Sequence, residues 1–117
     1  MAYIDGFVLA VPTANREPYR MLALETAAIF KEHGALQLVE CWGDDIPAGE
    51  LTSFPMAVKC KADETVVFSW VLWPSRATRD AGMPKIMADP RMQAMMGPPP
   101  FDGKRMIFGG FEIIVDA

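Results

Sequence analysis

Three carboxylates interrupt otherwise apolar stretches, and chemistry is expected first from them. Asp5 lies in Tyr3–Val11, Glu40 in Leu36–Trp42 and Glu112 in Arg105–Val115. A carboxylate in such a run wants a partner or water. If all three turn into one enclosed space, desolvation and mutual repulsion raise their pKa values, which suits proton abstraction. The same cluster could hold a hard cation. The competing arrangement pairs them with Lys104, Arg105 or Arg76, or leaves them at a rim. Strand parity decides between the two, and a bulge at Gly6 or Gly109-Gly110 would reverse it. No metal-ligand set is assigned, and no cofactor is expected.

Trp42, Trp70 and Arg76 are the candidate ligand-binding residues. The two rings could stack on a substrate, although they and Trp73 also suit a core or an interface. Arg76 and Asp80 stand at i,i+4 spacing, which reads most simply as a surface ion pair. His33 is the only histidine. It could act as a base or heme ligand, but beside Gly34 it reads as a complement to the negative helix end. Cys41 and Cys60 lack a nearby histidine and read as core filler rather than nucleophiles. Met83, Met87, Met92, Met95 and Met96 either line an adaptable apolar pocket, bind soft copper, or pack a helical core, the last being the plainer reading. No phosphate-cradling glycine loop, paired CxxC or nucleophile elbow is present.

The elements that must position these groups fit one domain spanning residues 1–117. A chain of 117 residues with 51% hydrophobic content supports one core, and two domains would be too small. A net charge of −4 and no basic run exclude a nucleic-acid-binding face and an anionic membrane surface. No apolar run approaches the roughly 20 residues of a membrane span. The N-terminus lacks the basic region of a signal peptide. Two cysteines give no disulfide framework and read as reduced, so the expected location is cytoplasmic.

The fold is organised around Thr65–Trp73, a β-branched and aromatic run without charge that reads as a strand covered on both faces. Tyr3–Val11, Leu36–Trp42 and Arg105–Val115 read as further strands, and Phe54–Lys61 as a short one leading into a turn. Thr13 or Asn15 caps a helix running to about His33, with Gly34 closing it. Met21, Leu24 and Ala28 form a second apolar strip, so something besides the sheet should touch this helix. A helical stretch over Arg76–Ala81 stalls at Gly82 and Pro84, with Lys85–Ala88 as its continuation. Asp89–Met96 is another helical piece, and Gly97–Pro100 a rigid connector. The order is βαββαβ, an α+β ferredoxin-like sheet with helices on one face and the first and third strands central. The strands are apolar on both faces and no residues remain to cover the second. A second copy is the simplest cover, giving a sheet-to-sheet homodimer.

Several motifs carry a resemblance: Tyr3–Val8, Val39–Trp42, Val66–Trp70, Trp73-Pro74-Ser75, Asp89–Met92, Pro100–Ile107 and Gly109–Glu112. Together they make the chain similar, over nearly its whole length, to the YbaA-like family of small bacterial proteins in the dimeric α/β-barrel superfamily. The resemblance implies a ferredoxin-like protomer, a sheet-to-sheet dimer and no established activity. Some members carry a label connecting them to signal recognition particle RNA, which this acidic sequence does not support. Other branches of the superfamily include cofactor-free monooxygenases, heme-handling proteins and isomerases, a breadth that shows how little fold says about function. Two functions follow as expectations. One is a homodimer binding a small molecule or partner in the cleft between sheet and helices. The other is a cofactor-free monooxygenase-like or isomerase-like enzyme with Asp5, Glu40 or Glu112 as base.

Overall fold

The structure is a computed structural model and describes residues 1–94 and 100–117. Four strands form one antiparallel sheet: β1 (Tyr3–Pro12), β2 (Gln37–Trp42), β3 (Glu64–Trp73) and β4 (Ile107–Glu112), in the spatial order β2-β3-β1-β4. The apolar run over β3 is therefore central beside β1, flanked on its other side by β2. The helices are α1 (Arg16–Glu32), α2 (Phe54–Ala57), α3 (Arg76–Ala88) and α4 (Pro90–Ala94).

Pairing of β1 with β3 runs without a break from Tyr3↔Trp73 to Pro12↔Glu64. Gly6, Gly109 and Gly110 sit in regular register, so none of them makes a bulge. What Gly110 supplies is room. A Cβ on Gly110 would collide with the Tyr3 ring, whereas one on Gly6 would only touch Phe111 at 3.4 Å. Side-chain parity therefore holds along β1. Tyr3, Asp5, Phe7 and Leu9 face α1 and α3, and Ile4, Gly6 and Val8 face the other way.

The helix-side core is built by Tyr3, Ile29, Phe30, Val71, Trp73 and Ile86, with Leu9, Val11, Tyr19 and Val67 beside it. Its burial explains α3. The helix does not stall at Gly82 and Pro84 but runs on with Pro84 inside it. Ile86 is fully buried, and Gly82 lies where a Cβ would collide with the His33 carbonyl and press on Trp73. Packing thus overrides the local cost of proline. Ser75 caps this helix by accepting from the Thr78 N–H. Asn15 occupies the cap position of α1 but makes no side-chain cap bond, its amide donating instead to the Pro100 carbonyl. Met21 and Leu24, expected to meet a second layer, are exposed.

Two expectations about the second face are corrected. Phe54–Lys61 is not a strand. Ser53 accepts from the Met56 N–H and Pro55 sits in the first turn, so the segment starts as the single helical turn α2. Nor is the second face wholly uncovered. Val58 and Cys60, following α2, pack with Val8, Ala10 and Val66, and Phe54 meets Phe68 edge-on at 6.1 Å. The insert closes only one end. Phe68, Ile107, Phe111, Ile114 and Val115 stay exposed. Of the proposed Asp89–Met96 helix the described part is α4, and the remainder, with most of the Gly97–Pro100 connector, lies outside the described residues.

Arg105 ties the insert to the sheet. It pairs bidentately with Glu64 at 2.7 and 2.6 Å and donates to the Lys59 carbonyl at 2.8 Å. Arg105 and the Lys61 N–H hold the Glu64 carboxyl down at about 2, against an ordinary 4.5. A depressed carboxylate stabilises the fold fully above its unfolded pKa and loses that contribution as pH falls through the folded one. Thermal melts should therefore show wild-type stability falling between pH 4.5 and 2, with Glu64→Gln less stable at neutral pH and falling less steeply in that window. Parallel curves would remove Glu64 from the account of acid sensitivity.

Candidate functional site

Between the sheet and α1 the packing leaves a cavity of about 480 Å³. Phe7, Leu9 and Leu38 supply its floor from the sheet, Leu22, Ala23 and Phe30 its wall from α1. Phe101, Met106 and Met92 close its ends, Phe101 meeting the Tyr19 ring edge-on at 5.6 Å. A volume in this range could admit a small molecule, and the lining is apolar with few polar groups.

The polar groups converge on one point. Glu40 of β2 pairs in register with Ser69 of β3, and both project toward α1. The Tyr19 hydroxyl lies 2.9 Å from each Glu40 carboxylate oxygen and donates to them. Glu40 sits at the mouth, partly open to solvent, yet the apolar surroundings push its pKa up, with hydrogen bonds from Tyr19 and Ser69 partly opposing the rise. Burial, and then the carboxylate beside it, push the Tyr19 hydroxyl well above the ordinary tyrosine range. The arrangement can hold a donor or cation on a ligand, or accept a proton from one.

The three expected acids do not meet in the open face. Asp5 turns to the helices, where Trp73 Nε1 donates to it at 3.0 Å and Arg79 Nη2 at 2.9 Å. Both oxygens are thereby occupied, and the group is locked as a buried ion pair. Glu40 also turns to the helices, but into the cavity. Glu112 pairs in register with Tyr3 on the edge strand and is exposed. The pairing of these acids with Lys104, Arg105 or Arg76 does not occur among the described residues either. Among the described residues no group of three or more His, Cys, Asp and Glu side chains is placed to hold a metal ion.

The candidate ligand wall is dispersed as well. Trp42 packs on the second core group with the Arg16 guanidinium 5.5 Å above its ring. The Trp70 ring packs against Phe68. Arg76 pairs with Asp80 at 3.4 Å on the surface and lies 6.0 Å over the Tyr3 ring. His33 meets Asp89 at 3.3 Å, where Arg91 bridges Asp89 to Glu32. Cys41 and Cys60 are free thiols, and burial raises the pKa of Cys60. Of the methionines, Met83 and Met92 pack on the core and Met87 is half exposed, while Met95 and Met96 lie outside the described residues. Tyr19 and Ser69 were not singled out by sequence as site residues. The one signal available for Ser69 was a small hydroxyl inside the apolar run Thr65–Trp73.

A four-stranded antiparallel sheet with helices, and an apolar cavity bordered by a carboxylate, define a small α+β protein. No reaction is attached to it. The chain belongs to the family described as protein of unknown function, DUF1428, whose pattern it matches over residues 2–103. It is 54% identical over 116 residues, 99% of each chain, to the uncharacterized protein YbaA of Escherichia coli K12, and equally to that of Shigella flexneri.

Proposed function

We propose that this protein is a ferredoxin-like homodimer of the dimeric α/β-barrel kind that binds a small, largely apolar molecule between its sheet and helices. The cavity carries this reading: it is large enough for a ring-sized ligand and its polar groups gather at Glu40. The strand order β2-β3-β1-β4 and the exposed apolar end of the second face support the dimer. The two free thiols support a cytoplasmic setting. No helix among the described residues is long and apolar enough to cross a membrane.

The experiment fills the cavity. Calorimetric titration with naphthalene should show one molecule bound per chain. Ala23→Phe, which places a ring in the cavity, should weaken that binding by at least about tenfold, since a packed interior has no room to give. Unchanged binding in a folded Ala23→Phe protein would sink the reading.

The elevated pKa of Glu40 favours a second reading, a cofactor-free enzyme with Glu40 as base. Asp5 is spent on Arg79 and Glu112 stands outside the cavity, so this reading rests on Glu40 alone. It requires turnover that Glu40→Gln abolishes and Tyr19→Phe changes in its pH profile.

A further inference from the structure

We propose that the cavity selects a primary amine carried on an aromatic or similarly flat apolar body, its ammonium pairing with Glu40. This rests on the cavity reading above and goes further, to the class of ligand. Glu40 is exposed to solvent where it borders the apolar cavity, so its carboxylate is open to a cation on a molecule entering there. Glu40 pairs with no cation of its own chain among the described residues. Its hydrogen-bond partner is the neutral hydroxyl of Tyr19, with Ser69 opposite it in register.

Lys104, next to the cavity residue Gly103, makes no ion pair with Glu40 among the described residues, and three arginines are engaged elsewhere. Arg16, on the first turn of α1 just before Tyr19, places its guanidinium over the Trp42 ring and not on the carboxylate. Arg105 is held by Glu64 and Asp102, and Arg79 by Asp5. Residues 95–99, next in sequence to Met92 at the cavity end, carry no ionisable side chain in the sequence. The cavity thus pairs a charge with an apolar chamber and leaves the counter-charge to its contents. The body of the ligand is set by the aromatic edges of Phe7, Tyr19, Phe30 and Phe101, which favour a ring over a flexible chain. The Tyr19 hydroxyl spends one proton on the Glu40 carboxylate and leaves acceptor sites on its oxygens for an ammonium.

The test is a calorimetric comparison of phenethylamine, phenethyl alcohol and phenylacetate at neutral pH, on the wild-type protein and on Glu40→Gln. The amine should bind tighter than the alcohol by on the order of tenfold or more, the advantage of a hydrogen bond to a charged group over a neutral one. Phenylacetate should bind weakest. Glu40→Gln should bring the amine's affinity to within about twofold of the alcohol's on the same variant. Tyr19→Phe, which removes the competing donor, should keep or widen the amine's advantage. If amine and alcohol bind alike and Glu40→Gln alters neither, the amine proposal is overturned while the apolar cavity reading stands. If none of the three binds and naphthalene does not either, both are overturned.

Discussion

Replacing Phe111 with arginine is expected to halve the molar mass measured by light scattering at micromolar protein, from about twice 12.9 kDa to that of one chain. Phe111 is 59% exposed in the single chain, on the face that bears Phe68 and Ile107. Its ring overlies Gly6 and Gly109 and is not part of any core group, so the protomer does not need it to fold. In a twofold dimer every interface residue occurs twice, so one substitution buries two like charges close together. Each unpaired buried charge costs several kcal/mol, more than a modest interface can absorb. Helix and sheet content by circular dichroism should be unchanged. A wild-type mass of one chain would remove the dimer outright. A Phe111→Arg protein that stays dimeric would place the interface elsewhere.

The tail of β4 bears on this. Beyond Glu112 the chain leaves the sheet, and Ile114 and Val115 are almost wholly exposed. Together with Ile4, Trp70 and Leu72 the tail borders a broad open groove on the second face. An apolar tail standing off its own sheet is the shape expected of an arm that a partner covers.

Much of this architecture was legible because strands and helices announce themselves through uninterrupted chemistry. The β-branched run of Thr65–Trp73 has one plausible place, the middle of a sheet, and occupies it. The helix after Asn15 ends where Gly34 takes a left-handed φ of 109°. The failures have physical causes. Pro84 and Gly82 look like breakers locally, but Ile86 and the close approach to His33 hold the helix together from outside. Phe54–Lys61 alternates enough to suggest a strand, while Ser53 and Pro55 determine the turn. The site was harder. Which face Asp5 and Glu40 take depends on whether Gly6 shifts the register, and sequence cannot tell a bulge from a glycine that stays in regular register. Tyr19 stands at helical spacing from Leu22, Ala23 and Thr26, and only the fold reveals that its hydroxyl reaches Glu40, 21 residues on.

Arg79→Met should destabilise the protein by roughly 3 kcal/mol, lowering Tm by about 10 °C in a domain of this size. Asp5 is 4% exposed, between β3 and β4 on a central strand. Arg79 reaches it from α3 with Nη2 at 2.9 Å and Nε at 3.2 Å from both oxygens, and stacks 5.5 Å from the Tyr3 ring. Methionine keeps most of the aliphatic stem against that ring and removes the charge. The Asp5 carboxylate then keeps only the Trp73 N–H, from a side chain that is itself fully buried. Breaking such a pair costs about 3–5 kcal/mol, and the low end applies because 25% of the Arg79 side chain is open to solvent. The double variant Asp5→Asn with Arg79→Met separates charge from packing. Asparagine can still accept from Trp73 and carries no charge, so the double variant should be more stable than Arg79→Met alone. If the second substitution adds to the loss instead, the penalty lies in packing and the pair is not what joins α3 to the sheet. Either way Asp5 stays outside the chemistry of the cavity, which it does not line.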